Sequence, residues 1–137
     1  MRGLVNHIDL TVRDPLASRD FYEAVLGFLG YRIVAVHERG IDFDLKTPEG
    51  AFTSIGIMKA SGPGATQPHD RYSPGLHHLA WNAADRADVD AMYQLLLRIG
   101  ATILDPPADY PRYGPGYYAV FFSDPDGLKL EYVHWPK

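Results

Sequence analysis

One run of elements occurs twice in this 137-residue chain, and that repetition restricts the possible folds more than any single motif does. Residues 4–12 alternate apolar and polar side chains as a strand does. Asp14-Pro15 then supplies the N-cap and first-turn residue of a helix predicted to run to about Leu26 and stop at Gly27. Residues 32–38, 41–46 and 53–58 read as three short strands, separated by the turn formers Arg39-Gly40 and Pro48-Glu49-Gly50. After a stretch rich in glycine and proline, residues 76–83 give a strand. Asp85 and Asp88 cap a helix with Val89, Met92, Leu96 and Ile99 at helical spacing, ended by Gly100. Residues 101–105, 117–123 and 128–134 complete three more strands, the last two joined at Asp124-Pro125-Asp126-Gly127. Tight turns between consecutive strands require antiparallel pairing, so the expected class is α+β: two βαβββ modules forming a cupped, partly closed mixed sheet with helices outside. One domain over 1–137 is expected, with modules at about 1–60 and 76–137 and a linker at about 61–75.

The repeat also aligns residues. His7-Ile8-Asp9-Leu10-Thr11-Val12 matches His78-Leu79-Ala80-Trp81-Asn82-Ala83, and Pro48-Glu49-Gly50 matches Pro125-Asp126-Gly127. Successive strand residues point to opposite faces, so His7, Asp9 and Thr11 share the face opposite Ile8, Leu10 and Val12. His78 occupies the equivalent face of its strand. Glu131 stands on the corresponding face of the last strand, away from Leu128, Leu130 and Tyr132. Two imidazoles and one carboxylate at repeat-related positions form a donor set for one divalent transition ion (Fe, Mn, Ni, Co or Zn) with positions left for substrate. His77 falls on the helix-side face by the same alternation and is read as a hydrogen-bonding residue at the strand entrance. Aligning Ile55-Gly56-Ile57 with Leu130-Glu131-Tyr132 puts Gly56 where a fourth, symmetric carboxylate would stand, although the alignment could slip to Ser54. Asp9, two residues from His7 on one face, is a candidate base or orienting group.

Composition narrows the chemistry further. With no cysteine, thiolate nucleophiles and Cys-ligated metals are excluded. A formal charge of −4 without a Lys/Arg cluster argues against a nucleic-acid partner, and no apolar run approaches the length of a membrane span. A cytoplasmic protein acting on a small molecule is expected. Residues 106–116, with Tyr110, Arg112 and Tyr113 among prolines and glycines, form a loop able to cover a bound anion; Arg112, Tyr113 and Tyr117 are the candidate substrate-binding residues.

Four fragments together resemble the vicinal oxygen chelate superfamily: Asn6-His7-Ile8; Ser18-Arg19-Asp20-Phe21-Tyr22 with Leu26-Gly27-Phe28; Leu76-His77-His78-Leu79-Ala80; and Asp124 through Glu131. The resemblance spans nearly the whole chain. It implies paired modules cupped around a divalent metal, ligands at His7, His78 and Glu131, substrates that chelate through neighbouring oxygens, and a homodimer. Gly56 departs from the four-ligand pattern of glyoxalase I, the loop at 106–116 lacks the lysine of fosfomycin-resistance enzymes, and Phe121 stands nearest the catalytic tyrosine of extradiol dioxygenases. The expected function is therefore a metal-dependent, glyoxalase-like lyase or isomerase. The alternatives are a metal-free binding protein of the bleomycin-resistance type, its ligand held by Tyr113, Tyr117, Tyr118, Phe121 and Trp81, or an extradiol-type dioxygenase.

Overall fold

The computed structural model describes residues 2–137, which divide into two compact units between Gln67 and Pro68. In the first unit, β1 (His7–Val12) is followed by α1 (Pro15–Phe28), β2 (Arg32–His37), β3 (Gly40–Lys46) and β4 (Phe52–Lys59). The sheet order is β1-β4-β3-β2, with β1 parallel to β4 and the other pairs antiparallel. The second unit repeats this with β5 (His78–Asn82), α2 (Arg86–Arg98), β6 (Thr102–Asp109), β7 (Tyr118–Ser123) and β8 (Lys129–His134), in the order β5-β8-β7-β6 with β5 parallel to β8. The α+β class and the two βαβββ modules are as the sequence predicts. Among the described residues no helix is long and apolar enough to cross a membrane.

Each helix lies on one face of its own sheet, and the strand alternation supplies the matching apolar surface. Leu10, Val12, Ile41, Phe43, Ile55 and Ile57 are buried in the first unit together with Tyr22, Val25 and Leu26 of α1. In the second, Val120, Phe122, Leu130 and Tyr132 are buried along with Val89, Met92 and Leu96 of α2. Each such side chain contributes on the order of 1.5–3 kcal/mol, so these two helix-facing cores carry most of the stability.

Several boundaries differ from the sequence reading, β1 beginning at His7 and β5 spanning His78–Asn82, and two of the differences have a clear local reason. Helix α1 continues through Gly27 and is stopped by Gly30, whose φ of +100° lets Tyr31 N–H reach Leu26 O at 2.9 Å while Gly30 N–H bonds Gly27 O. Gly100 closes α2 in the same way, with Ala101 N–H on Leu96 O. Strand β6 does not end at Asp105 but passes through Pro106-Pro107 to Asp109. It is an edge strand, where a missing N–H forfeits no ladder bond, and register shifts at Ile103/Asp105 and Asp105/Ala108 accommodate the prolines. The loop after it is correspondingly shorter, closed by Tyr110 N–H on Tyr117 O at 2.8 Å.

The second sheet is also covered on the face away from α2. Ala119, Phe121 and Val133 form a small buried cluster against which Tyr110 and Tyr117 pack. This cluster encloses a carboxylate.

Candidate active site

Of the buried carboxylates of the second unit, Asp124 and Asp126 sit in a turn, whereas Glu131, only 2% exposed, stands in the middle of β8. Its neighbours explain how the strand tolerates it. Ala80 on β5 and Phe121 on β7 are its cross-strand partners, one leaving room and the other supplying a wall. Tyr117, at the end of the 110–117 loop, donates its hydroxyl proton to Oε1 in a very close contact. His78 Nε2 lies 3.1 Å from Oε2. Both oxygens are therefore bonded, which offsets the desolvation of the carboxylate.

A carboxylate oxygen accepts, so the 3.1 Å contact is a hydrogen bond when His78 carries a proton on Nε2; His77 Nδ1 lies 2.7 Å from His78 Nδ1, and one of those two nitrogens donates to the other. Donors thus converge on Glu131 from both sides. Burial, and then the hydrogen bond to Glu131 and its charge, push the Tyr117 phenol far above its ordinary pKa. His77 is held below the usual imidazole range, first by desolvation and then by His78, Lys129 and Arg71 nearby.

These residues lie at the foot of a cleft of about 550 Å³ within the second unit, whose walls include Arg112, Tyr113, Tyr117, Phe121, Lys129 and Trp135. The cleft falls in the size range of small-molecule sites. Sequence reasoning found Arg112, Tyr113, Tyr117, His78 and Glu131 of this set. His77, assigned by alternation to the helix-side face, instead lines the cleft: β5 begins only at His78, so the strand alternation does not reach it, though it does make the expected hydrogen bond at the strand entrance. Trp135 and Lys129 were missed. Lys129 was legible by alternation with Glu131; Trp135 lies beyond β8, where no periodicity points to it. Of the aromatic residues named for a metal-free ligand site, Tyr118 faces α2 instead, bonded to Asp90 Oδ1 at 2.5 Å with Arg86 over its ring, and Trp81 is not part of the cleft wall.

Strand pairing settles the repeat alignment. Asp9 pairs with Gly56 in the first unit as Ala80 pairs with Glu131 in the second, so Gly56 and not Ser54 is the counterpart of Glu131. His7, counterpart of His78, is exposed, with Nδ1 bonded to Asn6 Oδ1 at 2.8 Å. Asp9 does not stand free of Gly56: a Cβ there would collide with its Oδ1 and with Met58 Cε, 2.6 Å away, and Asp42 Oδ1 lies 3.3 Å from the same point. The first unit has exchanged one central carboxylate for two flanking ones, of which Asp42 also meets His37 Nε2 at 3.3 Å.

Imidazole and carboxylate are donor types that a divalent transition ion takes, and here His78 Nε2 and Glu131 Oε2 stand 3.1 Å apart, joined by a hydrogen bond. Among the described residues no three His, Asp or Glu side chains are grouped to hold an ion.

Residues 4–132 match the model of the Glyoxalase/Bleomycin resistance protein/Dioxygenase superfamily. A Bacillus subtilis (strain 168) protein, YqjT, is 34% identical over 129 residues, covering 94% of this chain and 97% of its own. A solved Bacillus halodurans protein named as a candidate glyoxalase is 30% identical, covering 98% of this chain and 97% of its own with a TM-score of 0.81. Lactoylglutathione lyase from Agrobacterium tumefaciens, at 20% identity and a TM-score of 0.67 over 96% of this chain and 93% of its own, shares the fold. With the paired modules, the repeat-related histidines and a family match over nearly its full length, the chain belongs to the Glyoxalase/Bleomycin resistance protein/Dioxygenase superfamily.

Proposed function

We propose that the protein is a divalent-metal-dependent enzyme of glyoxalase type that acts on a small oxygenated substrate by lyase, isomerase or addition chemistry. The observation that carries this reading is the Glu131–His78 pair, a buried carboxylate and an imidazole 3.1 Å apart at the foot of an open cleft. His78 Nε2 and Glu131 would hold the ion, and His7, the repeat-equivalent imidazole, is the proposed third donor. When bound, the ion supplies Lewis acidity toward a substrate oxygen and stabilises the developing oxyanion.

The chain's own residues do the rest. Tyr117 keeps Glu131 Oε1 engaged and so orients Oε2 toward His78. His77 donates to His78 Nδ1 when the proton of His78 is on Nε2 and accepts from it when the proton is on Nδ1. Arg112 and Tyr113 line the cleft and are the proposed substrate-binding residues, with the aromatic walls shielding the bound molecule from water. Asp9 is proposed as base or orienting group on the His7 face of β1. A homodimer belongs to the same proposal and is checked by light scattering on the purified chain.

Elemental analysis of protein purified without chelators or a histidine tag tests the reading. About one transition ion per chain is expected, lost in His78→Ala and in Glu131→Gln. No ion after reconstitution with Fe(II), Mn(II), Co(II), Ni(II) and Zn(II) would overturn it and favour metal-free ligand binding, which the aromatic walls of the cleft also suit.

A further inference from the structure

We propose that the cleft of the second unit selects small, planar, conjugated carboxylates, with the charged end held by Arg112 and Lys129. This deepens the proposed function and rests on it for the group that the bound molecule presents to His78 and Glu131. The argument begins with charge. Glu131 is the carboxylate of the cleft, and both its oxygens are engaged by Tyr117 and His78 at the floor. Two cations face the same space. Lys129 Nζ lies 4.5 Å from the centre of the Phe121 ring, and Arg112 rests on Tyr113 with Nη2 3.0 Å from the hydroxyl. Among the described residues neither is in an ion pair, whereas Arg86 is held by Asp109 and Arg19 by Glu23. In a chain of net charge −4, two cations stand in one cleft against the single carboxylate of Glu131, whose oxygens are already engaged, and this local excess of positive charge attracts anions.

The walls choose the shape. Tyr113 is stacked on Tyr110 at 5.7 Å with 21° between the planes, and Tyr110 is braced edge-on against Phe121 at 5.4 Å. Tyr117 meets Tyr113 at 5.2 Å and Trp135 at 5.3 Å. The Trp135 ring edge is seated against Gly114, where a Cβ would stand 2.5 Å from Nε1. These rings are held by one another before any ligand arrives, so a flat guest costs little ordering entropy and gains ring contacts. Lys129 and Glu131 share one face of β8, and both side chains line the same cleft. A carboxylate at the Lys129/Arg112 end then sets a distal oxygen beside Tyr117, Glu131 and His78.

The test is calorimetric titration of the chelator-treated full chain with 4-hydroxybenzoate, its neutral amide 4-hydroxybenzamide, and the saturated 4-hydroxycyclohexanecarboxylate. The aryl carboxylate is expected to bind at least ~10-fold more tightly than either comparator. Arg112→Ala/Lys129→Ala should bring the carboxylate-to-amide ratio close to unity with an unchanged near-ultraviolet circular dichroism spectrum, and Arg112→Lys/Lys129→Arg should retain the preference. Equal binding of the amide, equal binding of the saturated acid, a preference that survives in the double alanine variant, or no binding of the aryl carboxylate would each overturn the proposal. Metal content of the same preparations separates the two ideas. An ion with no anion preference removes this inference alone, and a preference in protein that takes up no ion removes the metal reading.

Discussion

Tyr117 and Glu131 show how one residue can be legible in type and hidden in role. The alternation of β8 places Glu131 on the face opposite the helix, where a carboxylate would ordinarily be solvated, yet it is buried by Tyr117, Phe121 and Val133. Tyr117→Phe removes the donor to Oε1 and is expected to destabilise the protein by about 1–3 kcal/mol, the cost of an unsatisfied buried acceptor. Urea unfolding at neutral pH checks this, and a loss below 0.5 kcal/mol would mean that water replaces the phenol. The pH dependence has a definite sign. Tyr117 and Tyr132 both ionise above the ordinary phenol pKa of 10.0, through burial first and hydrogen bonds to Glu131 and Asp88 second. Their contribution to stability is therefore fully present below pH 10 and is lost as pH rises from there toward the raised folded values, because the unfolded chain gives up those protons first. Alkaline absorbance titration should show these two lagging behind the other tyrosines, and Tyr117→Phe should remove one of the two.

The elements were more readable than their ends. Asp85 and Asp88 predict a reciprocal cap, and the structure shows it: Asp85 Oδ1 accepts from Asp88 N–H at 2.8 Å, and Asp88 Oδ2 accepts from Ala84 N–H at 2.9 Å. What the sequence does not show is that Asp88 Oδ2 also accepts from the buried Tyr132 hydroxyl at 2.5 Å, tying the start of α2 to the centre of β8. Asp85→Ala should cost about 1 kcal/mol as a lost cap. Asp88→Ala should cost about 2–3 kcal/mol, because it also strands a buried phenol; equal losses on thermal or urea unfolding would show that the Tyr132 contact contributes nothing. Boundaries were misjudged where one residue type serves two uses. Gly27 is tolerated inside α1 while Gly30 takes the positive φ, and Pro106-Pro107 interrupts a strand in isolation but not an edge strand with bulges.

Across the whole chain, the repeat is followed by the backbone and broken by the side chains. Both sheets have the same order and the same parallel pair, yet one centres on Glu131 and the other on Gly56 between Asp9 and Asp42. Gly56→Glu would restore the repeat in sequence, but the new carboxylate meets two others and displaces Asp9. A loss of about 1–3 kcal/mol is expected from crowding and like charge, part of it recovered when Asp9→Ala is added, while the contact with Met58 Cε remains. An additive double variant in urea unfolding would show that Asp9 does not fill that space. The class, the modules, the faces of the strands and the matching positions of His7 and His78 were determined by the sequence, because periodicity and turn chemistry are local and a repeat doubles the signal. The engagement of Glu131 by Tyr117 and His78, the wall built by Trp135 and the second use of Asp88 were decided only by tertiary structure. Each depends on atoms 14 to 53 residues apart meeting within hydrogen-bond or ring-contact range, and no local pattern encodes a distance of that kind.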